Sequence, residues 1–273
     1  MTMKTILFST FFTISLLFSI PLVSSQEVED ESEFSYVPGT ENGPEHWGEL
    51  NENWTMCGTG HQQSPIDLLN ERVQVNPNLG RLIRSYRPAN ATMKNRGHDI
   101  ELKWHEDAGT IQIDGYYYLL TQLHWHSPSE HTINGKRYEM EMHMVHQTSD
   151  GKKIAVIGFL YTYGHPDPFL AEMEPYIKEV GNLKDEEESV GIVDPRKIKL
   201  GSRKYYRYMG SLTTPPCTEG VTWTIVKKIR TVSREQLHLL KDAVHDEAHD
   251  NARPIQSIYD RMINMYRPQK IQN

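Results

Sequence analysis

Apolar residues along this chain recur mostly at every second position, in short runs closed by turn residues, which is the pattern of half-buried β-strands. Ile100-Glu-Leu-Lys-Trp104 alternates, Thr110-Ile-Gln-Ile-Asp-Gly115 alternates into a turn, and Gln122–His126 and Glu139–His146 follow the same period. Ile154–Leu160 is apolar throughout, as expected of a central strand covered on both faces, and Val221–Val226 is a further candidate. Two segments carry a helical period instead. Asp167 stands as an N-cap before Pro168, Leu170, Met173, Ile177 and Val180 follow at helical spacing, and Gly181 ends the run. Pro175 inside this run is expected to shorten or kink the helix. Ser233-Arg-Glu-Gln236 is a capping box ahead of Leu237, Leu240 and Val244. The pattern predicts a mostly β single domain, a large sheet with a few helices at its periphery.

The N-terminus departs from this pattern. Lys4 precedes an apolar run from Ile6 to Ile20, then Pro21 and Val23-Ser24-Ser25, which reads as a signal peptide over residues 1–25 cut before Gln26. The run is too short for a membrane anchor, and no other stretch is apolar for long enough to span a bilayer, so no membrane insertion is expected. Residues 26–34 form an acidic leader, and the domain is expected over 35–268. The full chain carries 29 Lys+Arg against 36 Asp+Glu, net -7; without residues 1–25, which hold one Lys, it is 28 against 36, net -8. That balance argues against nucleic acid as a partner.

Export changes the reading of two other features. Cys57 and Cys217 allow one pairing in an oxidising compartment. It would close a loop of about 160 residues, on the order of 5 kcal/mol by chain entropy. Asn53-Trp-Thr55 and Asn90-Ala-Thr92 are glycosylation sequons.

The chain holds 13 histidines, and their placement suggests chemistry. In Gln122-Leu-His-Trp-His-Ser-Pro-Ser-Glu-His131, strand parity turns Gln122, His124 and His126 one way. In Tyr138-Glu-Met-Glu-Met-His-Met-Val-His146, Glu141, His143 and Val145 share a face. Ile133-Asn-Gly-Lys136 is a turn signal between the two strands. Paired antiparallel, they bring three imidazoles around one point. Three neutral imidazoles with a fourth position open describe a catalytic zinc site, one Zn2+ per chain. A rival remains: His124-x-His126-x-x-x-Glu130 also fits the first motif of cupins, which would make Glu130 a manganese or iron ligand. The second cupin motif, Pro-x-Gly-x-x-His, is not found downstream.

Gly210-Ser-Leu-Thr-Thr-Pro-Pro-Cys217, Val221-Thr-Trp223, Gly43-Pro-Glu-His-Trp47, Gln63-Ser-Pro65 and Gly97-His98 extend the pattern. Together with the histidine segments they resemble an α-class carbonic anhydrase, plant-type, from about Tyr36 to Arg253. The resemblance implies a twisted, mainly antiparallel central sheet of about ten strands. It implies reversible hydration of carbon dioxide to bicarbonate and a proton by zinc-hydroxide attack. His124, His126 and His143 match the zinc ligands, with Gln122, Glu141 and the main-chain carbonyl of Asn251 as their hydrogen-bond partners. Thr213 matches the gatekeeper hydroxyl whose proton goes to Glu130, which makes Glu130 a partner rather than a ligand. Val145, Val156, Leu212 and Trp223 match the apolar substrate pocket, and Thr214 and Tyr36 match the cavity wall. His98 matches the proton shuttle, a role that suits a group titrating near neutrality.

The sequence departs from the common pattern at Arg96 and Glu101, where Asn is frequent, and at Phe34, where Trp is frequent. The charge pair is expected to disturb the shuttle's waters or the His98 pKa. The resemblance leaves open a catalytically weak carbonic-anhydrase-like storage or binding protein. The expected location is the secretory pathway and the apoplast, with a secretory route to the chloroplast also open, and the expected state is monomer or dimer.

Overall fold

The computed structural model describes residues 34–183, 187–244 and 250–268; the expected signal segment and nearly all of the acidic leader lie outside them. Alternation becomes strand throughout: β1 Val73–Val75, β2 Ile83–Tyr86, β3 Ala89–Asn95, β4 Ile100–Trp104, β5 Gly109–Ile113, β6 Tyr116–His126, β7 Thr132–Ile133 and β8 Lys136–Arg137. They continue as β9 Met140–Gln147, β10 Ile154–Tyr163, β11 Glu187–Val193, β12 Tyr205–Ser211, β13 Glu219–Val226, β14 Arg230–Val232 and β15 Ile263–Tyr266. Among the described residues one sheet holds 13 strands, ten of them in the order β1-β15-β12-β13-β10-β9-β6-β4-β3-β11. Most pairs are antiparallel; β1–β15, β10–β13 and β10–β14 are parallel, so the sheet is mixed. The apolar run Ile154–Leu160 does lie mid-sheet, flanked by β9 and β13.

The two faces of β6 and β9 bury different chemistry. Leu123, Trp125, Met140, Met142 and Met144 enter the larger core, with the apolar faces of both main helices. Burying each such side chain stabilises the fold by about 1.5–3 kcal/mol. The alternate residues, Gln122, His124, His126, Glu141, His143 and Val145, face the other way. Leu120 breaks the period: it has the parity of Gln122 yet enters the larger core. The pairing Leu120–His146 is followed by Gln122–Val145, so Thr121 has no counterpart. This bulge resets the parity of the strand just before the histidines.

Helix α1 spans Trp47–Leu50 and α2 spans Met56–Thr59. Their buried Trp47 and Cys57 join Phe34, Tyr36, Trp54 and Cys217 in a small aromatic cluster. Helix α3, Pro168–Val180, and α4, Arg234–Ala243, cover the large core. The Asp167 carboxylate accepts from the Phe169 and Leu170 N–H groups, and the Ser233–Gln236 capping box forms as expected. Gln236 also bridges the two helices, accepting from Asp167 N and donating to Asp167 O. The expected shortening at Pro175 does not occur; α3 runs through it. Pro175 and Ala171 are both exposed, so the carbonyl that loses its N–H partner faces water.

Candidate metal centre

β6 and β9 pair antiparallel with His124 opposite His143, His126 opposite Glu141 and Gln122 opposite Val145. The Asn134-Gly135 turn between them has both residues at positive φ, 50° and 74°, the geometry of a tight hairpin loop. His124, His126 and His143 are all buried, with one ligand atom each within 4.8 Å of the others.

Each imidazole is oriented by an acceptor. His124 Nδ1 donates to Gln122 Oε1 at 2.8 Å, His126 Nδ1 to the Asn251 carbonyl at 2.7 Å, and His143 Nε2 to Glu141 Oε1 at 2.9 Å. Amide, carbonyl and carboxylate oxygens only accept, so these nitrogens carry the protons. The opposite nitrogens, Nε2 of His124 and His126 and Nδ1 of His143, therefore present lone pairs inward. His126 Nε2 has no hydrogen-bond partner, and His143 Nδ1 stands 3.3 Å from His124 Nε2. Two lone pairs facing each other at that distance repel unless a cation lies between them. Tetrahedral zinc with bonds of 2.0–2.1 Å sets its ligand atoms about 3.3–3.4 Å apart, so the donor set fits zinc.

Burial lowers the His124 pKa well below its ordinary value, which keeps the ring neutral for coordination. Burial would raise the Glu141 pKa, but His131 and His143 outweigh it and hold the carboxyl ionised. Glu130 lies outside the group of three. Its Oε1 accepts from Arg253 N at 3.0 Å. Its Oε2 is buried without a hydrogen-bond partner, 3.7 Å from His126 Nε2.

Thr213 and Thr214 lie buried in the loop between β12 and β13. The Thr214 carbonyl accepts from Cys217 N at 2.9 Å. Cys217 is bonded to Cys57, so the expected disulfide does anchor this loop to α2. Val145, Val156 and Trp223 stand side by side across β9, β10 and β13, and with Leu212 they belong to the second apolar cluster. The next row across the sheet is His124, His143 and Gly158. A Cβ on Gly158 would approach Glu141 Oε1 to 3.0 Å, so glycine leaves room for that carboxylate beside His143.

His98 differs from expectation. It is 1% exposed, packs against the Phe34 and Tyr36 rings at 5.1 and 6.3 Å, and has neither ring nitrogen hydrogen-bonded. Burial pushes its pKa down to about 4, not near neutrality. Arg96 is held by Asp99 through Nε–Oδ1 at 2.7 Å and Nη2–Oδ2 at 2.5 Å, with Glu101 at 3.5 Å. The charge pair expected between Arg96 and Glu101 is thus chiefly Arg96–Asp99.

Sequence reasoning missed several supporting residues. His131 Nδ1 bonds Glu141 Oε1 at 2.7 Å, its Nε2 bonds Tyr208 Oη at 2.7 Å, and Tyr208 meets Ser64 Oγ at 2.7 Å. Arg253, 1% exposed, donates to the Cys57 carbonyl, to Gln63 Oε1 and to the Ser64 carbonyl. His131 and Arg253 sit outside strands, where no periodicity could assign their direction. Asn53 and Asn90 are both exposed.

A profile of eukaryotic-type carbonic anhydrases matches residues 42–267. Alpha carbonic anhydrase 7 of Arabidopsis thaliana is 54% identical over 265 residues, covering 96% of each chain. A crystal structure of dioscorin complexed with ascorbate superposes with a TM-score of 0.84 at 44% identity, covering 87% of this chain and 99% of the other. The α-carbonic anhydrase of Thermovibrio ammonificans, in complex with the inhibitor sulfanilamide, gives a TM-score of 0.76 at 36% identity, covering 85% and 98%. A family profile over most of the chain, relatives near half identity over nearly full length and a shared mixed sheet all converge, and the chain belongs to the α, eukaryotic-type, carbonic anhydrase family.

Proposed function

We propose that this chain is an active, zinc-dependent carbonic anhydrase that hydrates carbon dioxide reversibly, with His124, His126 and His143 as the protein ligands. The observation that carries this reading is the convergence of three imidazoles, each with its outer nitrogen already engaged by Gln122, Asn251 or Glu141. Zinc held there supplies a Lewis acid that lowers the pKa of water and so yields a nucleophile at neutral pH.

The remaining roles belong to the chain. Glu130, whose Oε2 is buried without a hydrogen-bond partner, is the acceptor for the Thr213 hydroxyl in the zinc-loaded site, which would turn the lone pairs of the Thr213 oxygen toward the reacting centre. Only a group that can donate a hydrogen bond is then accepted at that oxygen. Val145, Val156, Leu212 and Trp223 provide an apolar wall suited to carbon dioxide, with Thr214 beside it. His98 accepts the departing proton, as a weak base given its buried setting. The catalytic unit is residues 35–268, exported after loss of residues 1–25 and glycosylated at Asn53 and Asn90; the Cys57–Cys217 bond supports export.

The test is stopped-flow hydration on the purified mature chain, with zinc stoichiometry from the same sample. The expected result is one zinc per chain, with activity lost on chelation and restored by zinc. Zinc bound without hydration favours the second reading, a carbonic-anhydrase-like storage or binding protein, which the similarity to dioscorin keeps in view.

A further inference from the structure

A second site lies across the sheet from the metal centre. A cleft of about 640 Å3 opens between β2 and the segment leading into β12. Its apolar floor includes Leu82, Tyr86, Tyr205 and Val226, all members of the helix-side core. Its rim carries Arg81, Arg84, Arg196, Lys199 and Arg203, and no acidic residue lines it. This concentration of cations sits on a chain of net charge -7.

The cations are built in rather than scattered. Arg84 donates through Nη1 to the Ile198 carbonyl at 3.2 Å, and its guanidinium carbon stands 5.4 Å over the Tyr86 ring. Burial lowers the Arg84 pKa, and the neighbouring Arg81 lowers it further, so the cluster repels itself. Arg196 is bound by Asp194, which fixes its direction. Among the described residues Arg81, Lys199 and Arg203 form no ion pair. Gly201, at φ +67°, turns the loop between Lys199 and Arg203 so closely past Lys228 that a Cβ there would lie 3.2 Å from the lysine stem. The Lys228 stem thus packs against this loop. The Lys199 carbonyl is tied to Arg230 Nη1 at 3.0 Å, and Tyr205 Oη donates to the Gly80 carbonyl at 3.0 Å, which anchors both walls.

We propose that this cleft binds a compact molecule carrying several phosphate groups. Four of the five rim cations are arginines, whose planar forks match phosphate oxygens. With Arg196 already paired to Asp194, the four other cations around one small volume call for dense negative charge, and each phosphate carries about 1.5–2 charges at neutral pH. A uronate polymer, with one charge per sugar, would instead be matched by an extended stripe. The volume is that of a small-molecule site.

The experiment is calorimetric titration of the zinc-loaded mature chain with inositol hexakisphosphate, at low and at physiological ionic strength. Zinc content is measured afterwards, because polyphosphates chelate metals. Saturable binding that weakens with salt is expected. The double variant Arg81→Gln/Arg203→Gln should lose about ten-fold or more in affinity, because two charge-assisted hydrogen bonds to the ligand are removed. Both side chains are exposed, so zinc content and thermal midpoint should be unchanged. Vesicles containing a phosphoinositide distinguish the sources: capture reversed by inositol hexakisphosphate points to a lipid headgroup, and no capture points to a soluble ligand. Absence of heat, equal affinity in the double variant, or tighter binding of polygalacturonate overturns the proposal.

Discussion

Single residues around the metal centre divide into donors, orienters and proton handlers, and each class has its own signature. Replacing His126 by Ala leaves two nitrogen donors and should abolish tight zinc binding. Glu141 lies outside the group formed by His124, His126 and His143, but it fixes the proton on His143 Nε2. Glu141→Ala should weaken zinc by about 10–100-fold in a chelator competition, the usual effect of losing such a partner. Glu130→Gln is expected to retain zinc and slow hydration by about 100-fold, as loss of one aligned hydrogen bond at a reacting centre does. Metal loss as severe as in His126→Ala would instead make Glu130 a ligand. His98, pushed down to about 4 by burial, is a poor proton acceptor at pH 7. His98→Ala should therefore lower kcat by less than about ten-fold in weak buffer, below the usual range for a general base, and leave kcat/KM unchanged. A larger fall rescued by imidazole would mean that the ring titrates near neutrality. The ligands were legible because strand parity assigns direction within β6 and β9. The burial of His98 was not, because Phe34 and Tyr36 reach it across the fold rather than along the chain.

Elements position the centre through two devices, of which the alternating pattern revealed one. Alternation marked both histidine strands and their turn, yet the bulge at Thr121 and the parallel pairing of β10 with β13 have no local signature. The capping residues of α3 and α4 were readable because caps are local, whereas the tolerance of Pro175 depends on which face of α3 meets water. The second device is the clamp on the Thr213 loop. Cys57–Cys217 spans a sequence separation of 160, and Arg253 and Gln63 bond to the carbonyls of those same two cysteines. Replacing both cysteines by serine should lower the unfolding free energy by about 2–5 kcal/mol in a denaturant titration. A loss below about 1 kcal/mol, the worth of a single ordinary hydrogen bond, would mean that Arg253 and Gln63 alone hold the loop.

At the scale of the whole molecule, the fold keeps an imidazole neutral on each face of its sheet, His146 on one and His98 on the other, and this shapes its behaviour in acid. His146 is fully buried in the helix-side layer, with Nε2 against Tyr86 Oη at 2.7 Å and Nδ1 against the Ala155 carbonyl at 3.2 Å. Burial pushes its pKa down to about 3, while His98 on the other face is pushed to about 4. Both imidazoles titrate at 6.5 when exposed. Below pH 6.5 the unfolded chain therefore binds two protons that the native state refuses. Unfolding stability rises with pH wherever the unfolded state holds more protons, so these groups make stability fall as pH drops from 6.5 toward 4. Each contributes a slope of up to about 1.4 kcal/mol per pH unit in that window. His146→Gln keeps a polar side chain against Tyr86 and removes one of the two protons. Its unfolding free energy, measured between about pH 4.5 and 6, should lose roughly 1.4 kcal/mol per pH unit of slope relative to the parent. An unchanged slope would show that His146 already takes up its proton in the folded protein, and that the layer around it admits water.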